Sequence, residues 1–388
     1  MIYLYLFFYA LVLFFNASRL GIGSEETKIL FESHHWIHYI YRFFYQLFGS
    51  NLIAVRLPST ILMLANIYLF FLISKKYLQN EKDALFATVL FSLLPAVLTA
   101  GVVISYAPFI LFFILIYLLL FFKNEFWALG FAFFLLFLHK SFLILFIAVG
   151  FYYLYKKNRN FSYAYFAFAT LSYLLYGFDF RGKPQNYFFD TFALFSAIFS
   201  PLLFLYFFYV IYRILIKEQK DIVWFISGTS FLIALFLSFR QKVSLEDFAP
   251  YAVLGTILMV RLFLQTLRVR LPKYRRNLLI AIVIVVGALL INDIALIFNE
   301  YLFAYLPVRK HFLYENYFAR ALAKSLKSEG IKCIDTKKAS LQRELRFYGI
   351  KYCKENLLNK QRGNRLTIYF HDINLGEVYV TKSNKNSS

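Results

Sequence analysis

The sequence predicts an α-helical polytopic membrane protein with about eleven transmembrane helices and a small α/β domain at its C-terminal end. Three observations predict it. Hydrophobic residues make up 61% of 388 and charged residues 16%, where a soluble domain is ordinarily ~45–50% apolar and ~25% charged. The apolar residues gather in runs close to the ~20 residues that cross a bilayer. The composition then changes sharply, and residues 300–388 hold 17 Lys and Arg against 8 Asp and Glu.

The runs fall at 2–16, 52–74, 83–101, 105–122, 126–138, 141–155, 161–177, 191–216, 222–239, 249–266 and 278–299. Phe (50) and Tyr (31) are their common residues, and Tyr suits an interface, where its ring is apolar and its hydroxyl wet. The first run lacks a basic n-region and a small-residue cleavage site, so it reads as a retained span rather than a signal peptide.

The net charge of +21 is not a nucleic-acid signal. Much of it sits in short loops and in the tail, where it reads as topology and contact with lipid headgroups. Lys75, Lys76 and Lys82, Lys123, Lys156, Lys157 and Arg159, Lys217 and Lys220, and the group Arg268 to Arg276 mark loops assigned to the cytoplasm. The opposite loops are 17–51, 178–190 and 240–248.

Residues 126–155 form a 30-residue apolar run whose only charged spot is His139-Lys140, with basic residues at both ends. Two short helices in a hairpin keep both basic ends on one side. A Lys at such a depth needs a partner or a wet cavity, so Lys140 is expected to face an outward cavity rather than merely snorkel. This scheme puts the N-terminus in the cytoplasm and the tail outside, with a membrane domain over 1–299 and a small domain over 300–388.

Within the tail, 314–328 has helical periodicity, with Tyr317, Ala321, Leu322 and Leu326 on one face, and Gly330 stops it. Strand candidates follow at 331–334, 366–370 and 377–381. Cys333 and Cys353 are too few for a disulfide framework and lack zinc spacing, which leaves room for one bridge in an oxidising compartment.

The first outer loop, 17–51, carries the acidic pair Glu25-Glu26. Ser24 is placed to cap a helix beginning at Glu25, where acids favour the dipole. The same pair suits a general base at a membrane surface. His34 and His38 are four apart, but no third metal ligand is evident, and an amphipathic stretch with Trp36 and Tyr39 on the membrane reads better. Arg56 opens the second span and is suited to hold a headgroup or an acid of the first loop. Loop 178–190 is polar and aromatic enough to bind sugar, or serves as a plain connector.

These residues resemble a family. Glu25-Glu26 followed by T-K-I, then A-V-R-L-P-S at 54–59, H-K-S at 139–141 and L-R-F-Y-G at 345–349 are similar, in span order, to the bacterial family 39 and aminoarabinose-transferase-like glycosyltransferases of the GT-C class, relatives of the protein mannosyltransferases. The resemblance implies transfer of a sugar from a polyprenyl-phosphate carrier, with inversion, at the outer face of the bacterial inner membrane. The acceptor would be a glycan, a lipid or a protein side chain. No nucleotide is required, and no phosphate-binding Gly-rich loop is present.

By position, Glu25 falls on the family's Asp and Glu26 on its Glu, the catalytic acids. Lys140, Arg240 and Lys242, with Arg56 and His139, are the candidates to bind the lipid phosphate or substrate, since a leaving phosphate needs fixed positive charge. No metal site is assigned, although a divalent cation remains open as a cofactor. Two departures stand out. Residues 105–109, S-Y-A-P-F, hold no acid where relatives often have an Asp at the start of the fourth span, for which Glu246 or Asp247 is a substitute. Glu also replaces Asp at 25, which moves the carboxylate by ~1 Å.

A transporter or flippase of lipid-linked sugars is the competing class, and it should show repeats and broken spans with polar groups at mid-depth. No repeat is evident, and only Lys140, within the apolar stretch 126–155, and Asn292-Asp293 lie clearly inside apolar sequence. A glycan polymerase or ligase should show a long outer loop in its second half, which is lacking. A catalytically inactive relative acting as a scaffold is the remaining alternative.

Overall fold

In the computed structural model the chain is mostly helical and ends in a small sheet. The structure describes all residues except 34, 79, 178–185, 305–306, 308–310, 312, 360–362, 371–372 and 383–388. The helices are α1 (Ile2–Arg19), α2 (Ser24–Phe31), α3 (Trp36–Phe48), α4 (Leu52–Tyr77), α5 (Glu81–Ser92), α6 (Pro95–Ala100), α7 (Ala107–Lys123), α8 (Glu125–Leu135) and α9 (Phe142–Tyr155). They continue as α10 (Arg159–Tyr176), α11 (Phe188–Phe199), α12 (Pro201–Lys217), α13 (Ile222–Ser238), α14 (Leu245–Ala252), α15 (Gly255–Val269), α16 (Pro272–Ile297), α17 (Tyr314–Ser328) and α18 (Ala339–Phe347). The strands are β1 (Asn356–Asn359), β2 (Asn364–Phe370) and β3 (Ile373–Lys382).

Every one of the eleven apolar runs falls on helix, but not every run is one straight helix. Among the described residues, α1, α4, the stretch Leu245–Val269 and α16 are long and apolar enough to cross a membrane. The pair α11 and α12 adds a fifth if it counts as one span, bent by 103°. Helices α7, α8, α9 and α13 are apolar but shorter.

The breaks have local causes. Ser200 sits at φ 73 and precedes Pro201, which has no N–H to continue α11. Leu94 is extended before Pro95, as a residue preceding proline prefers. The expected interruption at His139-Lys140 is present between α8 and α9. The two do not form a close hairpin, however. Helix α8 packs mainly on α7, and α9 mainly on α10 and α13.

By packing, the chain divides into two units. One is Met1–Tyr9, Ile61–Gly101 and Tyr106–Ile294, and the other is Ala10–Thr60, Val102–Ser105 and Ala295–Ser388. The first is built from apolar helices with an aromatic interior. Phe231 meets Phe195 edge-on at 5.0 Å and Phe207 at 5.8 Å, and Phe70 stacks on Phe91 at 3.9 Å. Such pairs add to the burial of the rings themselves.

The second unit gathers the first loop with the tail. Its sheet is antiparallel in the order β1-β3-β2, with α17 packed on β2. Tyr317, Leu322 and Leu326 of α17 are buried with Ile334, Leu345 and Ile368. Helix α17 covers the stretch its periodicity predicts, and Gly330 at φ 71 ends it in a left-handed turn that glycine adopts freely. The strand candidate at 331–334 is only an isolated bridge from Cys333 to Lys351. Helix α18 and strand β1 were not expected. Cys333 and Cys353 are joined in a disulfide, and their loop contains the whole of α18. Residues 178–185, His34 and the last polar residues fall outside the described set.

Candidate functional site

The acidic loop is organised by one buried ion pair. Helix α2 starts one residue earlier than expected, with Gly23 rather than Ser24 as its cap. Glu26, at the third helical position, reaches back and accepts from the Gly23 N–H at 2.8 Å, satisfying one of the donors every helix start leaves over. The other donors come from far along the chain. Arg56 Nε gives to Oε1 at 3.0 Å and Arg56 Nη2 to Oε2 at 2.8 Å, while the Ile104 N–H gives to Oε1 at 2.9 Å. The Glu26 carboxylate thus accepts four hydrogen bonds, two on each oxygen, which fills its capacity.

Arg56 is equally occupied. Its Nη1 donates to the carbonyls of Ala17 (3.1 Å) and Leu20 (2.7 Å), and its Nη2 also donates to Gly21 (3.0 Å). These carbonyls lie at and just beyond the end of α1, where a helix leaves acceptors unpaired. All five N–H positions of the guanidinium are used, and the residue is 1% exposed. Arg56, expected to hold a headgroup or an acid, holds the acid, and no donor remains for a phosphate.

Glu25 has the opposite environment. One residue along, it turns outward, with a side chain 77% exposed and Lys28 Nζ 3.9 Å away. Adjacent acids are therefore divided, one closed into the scaffold and one presented to solvent at the positive end of α2.

The tail reinforces the same helix. Helix α18 packs on α2. Arg343 Nη1 lies 3.1 Å from both carboxylate oxygens of Glu32, and Arg346 stands over the Phe31 ring at 4.5 Å. Phe347 meets Tyr45 of α3, and the Ile22 N–H donates to Tyr348 Oη at 3.2 Å. The segment L-R-F-Y-G thus reaches both the start and the end of the acidic loop. Gly21 permits a close approach, since a Cβ there would fall 2.5 Å from the Asn316 carbonyl oxygen of α17. His38 is buried, with Nδ1 2.8 Å from the Ile29 carbonyl oxygen.

The remaining candidates lie in the other unit. The turn His139-Lys140-Ser141 is fixed to α14. Ser141 Oγ hydrogen-bonds Asp247, Tyr251 Oη donates to the Ser141 carbonyl at 2.7 Å, and Lys140 Nζ is 4.0 Å from Asp247 Oδ2. His139 is buried, its Nδ1 accepting from the Ser141 N–H and its ring 5.4 Å from Tyr106. Lys140 and Asp247 are thus brought together, with Ser141 and Tyr251 as partners the sequence did not indicate. Arg240 and Lys242 are exposed in the link between α13 and α14. The segment without an acid, at 105–109, has its own use. The Ser105 carbonyl accepts from Tyr41 Oη at 3.1 Å, one residue past the N–H given to Glu26.

Compared with family models, with curated proteins and with solved structures, the chain finds no match in any of the three.

Proposed function

We propose that the chain is an integral-membrane glycosyltransferase that moves a sugar from a polyprenyl-phosphate carrier to an acceptor, with inversion, at the outer face of a bacterial inner membrane. The observation that carries the reading is the division of the acidic pair. Glu25 is exposed on a helix whose position is fixed by the Glu26–Arg56 pair and by α18. A general base needs that combination of access and a fixed support.

In this reading Glu25 deprotonates or orients the acceptor hydroxyl, and Glu26 and Arg56 are positioning residues. The cations carried over from the resemblance, Lys140 first, then Arg240 and Lys242, stabilise the leaving phosphate. Asp247 beside Lys140 is the acid that stands in for the one lacking at 105–109. The eleven-span GT-C arrangement, a cytoplasmic N-terminus and a periplasmic tail belong to the same proposal. The Cys333–Cys353 disulfide supports the last of these, because such bonds persist in oxidising compartments.

Two observations favour a second reading, a transporter or flippase of lipid-linked sugars. The bent pair α11 and α12 and the buried Asp293 in α16 are features that transporters use.

The test is release of polyprenyl phosphate by purified protein given polyprenyl-phosphate sugars and a membrane extract as acceptor. Transfer that collapses in Glu25→Gln supports the first reading. Folded protein that moves lipid-linked sugar across vesicles without releasing polyprenyl phosphate supports the second.

A further inference from the structure

The first unit carries a groove of about 910 Å³ along α13 that includes none of the candidate site residues above. That volume is at the upper end of the ~300–1,000 Å³ of small-molecule sites. Gly228 lines it without a side chain, and Phe151, Leu154, Leu232 and Phe236 line it with apolar ones. Leu232 and Phe236 are 60% and 78% exposed, so the groove opens outward from apolar helices. In a membrane that opening faces lipid.

One end of the groove is different. Lys220 lines it, half-buried, with Nζ 5.3 Å from the Tyr155 ring centre and 5.9 Å from that of Trp224. The acids nearby in sequence are already neutralised. Asp221 accepts from Arg261 at 2.7 Å and from the Trp224 N–H at 2.9 Å. Glu218 lies 3.6 Å from Arg213 and 3.9 Å from Arg261. Among the described residues Lys220 has no carboxylate within ion-pair reach. Its charge is held at the mouth of an apolar channel by the faces of two aromatic rings, the buried Trp224 giving its indole N–H to the Ile211 carbonyl at 3.1 Å. Lys156 and Lys157 just after α9, and Arg159 at the start of α10, add positive charge next in sequence to Tyr155.

We infer that this groove binds one anionic phospholipid from the leaflet on the lysine-rich side, its acyl chains along α13 and its phosphate on Lys220. An apolar channel ending in an uncompensated cation matches an amphiphile with one negative head. A zwitterionic lipid would bring its own cation up to Lys220 with its phosphate, and a free anion would leave the channel unused. The inference depends on the membrane setting alone and stands apart from any transferase activity.

The experiment is native mass spectrometry of the full chain in detergent, titrated with phosphatidylglycerol or with phosphatidylcholine of the same acyl chains. Wild type is expected to retain phosphatidylglycerol about tenfold better, a difference of ~1.4 kcal/mol. Lys220→Gln should erase that preference and Lys220→Arg should keep it. Leu232→Trp, at an exposed wall position, should displace both lipids while circular dichroism shows the fold intact. Lys217→Gln, outside the groove, should behave as wild type. The inference is overturned if the two lipids bind equally to wild type, or if Lys220→Gln keeps the preference. It is equally overturned if folded Leu232→Trp retains both lipids, or if millimolar inorganic phosphate displaces phosphatidylglycerol, which would mark a simple anion site.

Discussion

Arg56 and Glu26 meet through two nitrogens and two oxygens at 3.0 and 2.8 Å, both side chains almost wholly buried. Thirty residues separate them, yet their bond closes the first loop on the end of α1 and the start of α4. A buried pair of this kind is a weak source of net stability, because both charges leave water. Breaking it is another matter. Arg56→Ala strands a buried carboxylate and three carbonyls and is expected to cost ~3–5 kcal/mol. Arg56→Lys should recover little, since an ammonium cannot reproduce the planar fork. The check is a double-mutant cycle of thermal unfolding in detergent with Glu26→Gln. A melting temperature unchanged in Arg56→Ala would remove the pair from its place as organiser of the loop.

The proposed transferase makes a sharper demand on the acidic pair. Glu25→Gln should lower sugar transfer by ~10²–10⁴-fold, the usual contribution of a general base, and leave the melting temperature alone because the side chain is exposed. Glu26→Gln should lower both together, since it replaces an acceptor of four hydrogen bonds with an amide. The comparison is one of transfer rate against stability for each variant. Loss of stability in Glu25→Gln, or full activity with full stability in Glu26→Gln, would reverse the assignment.

The sequence made the pair visible but not its division. Glu25 and Glu26 are chemically alike, and only the arrival of Arg56 and the Ile104 N–H decides which one turns inward. Arg56 is conspicuous as a charge opening an apolar span, but three of its partners are backbone carbonyls, which carry no residue signature. The apolar runs were legible because lipid-facing helices are written in Phe, Leu and Ile throughout. Their breaks at Pro95 and Pro201 follow from proline chemistry, although the 103° bend does not. Helix α18 carries little sequence signal because A-S-L-Q-R-E-L-R-F is mostly polar and buries little beyond Glu344, Leu345 and Phe347. Strand β1, N-L-L-N, is too short to show an alternation. Lys140 stood out as the charge in an apolar run, while its partner Asp247 lies a hundred residues away with no spacing to announce it.

The disulfide places a covalent clasp around α18. A loop of this length adds about 3 kcal/mol by restricting the unfolded chain. Cys333→Ser with Cys353→Ser should therefore lower the stability of the tail by about that amount. Hydrogen exchange should then quicken in α18 and in α2, which packs on it, and stay unchanged in α9 and α13 of the other unit. Faster exchange confined to the tail, with α2 unaffected, would separate the clasp from the acidic loop.

The buried carboxyl of Glu344 gives the tail a pH dependence of defined sign. Burial raises its pKa to about 8, and Glu315 and Glu26 push in the same direction against Arg343 and Lys338. An unfolded chain releases the same proton near ~4.3. Between those values the folded state holds a proton that the unfolded state has lost, so stability falls as pH rises through the window and levels off above pH ~8. The loss is on the order of a few kcal/mol at ~1.4 kcal/mol per unit of pKa. Glu344→Gln keeps a neutral side chain of the same shape at every pH. It is expected to melt like wild type below pH ~4.5 and at higher temperature than wild type at pH 8 to 9. Thermal unfolding of both proteins from pH 4 to 9 measures this. Parallel curves across the range would show that Glu344 is ionised in the folded protein and that a cation within the tail compensates it.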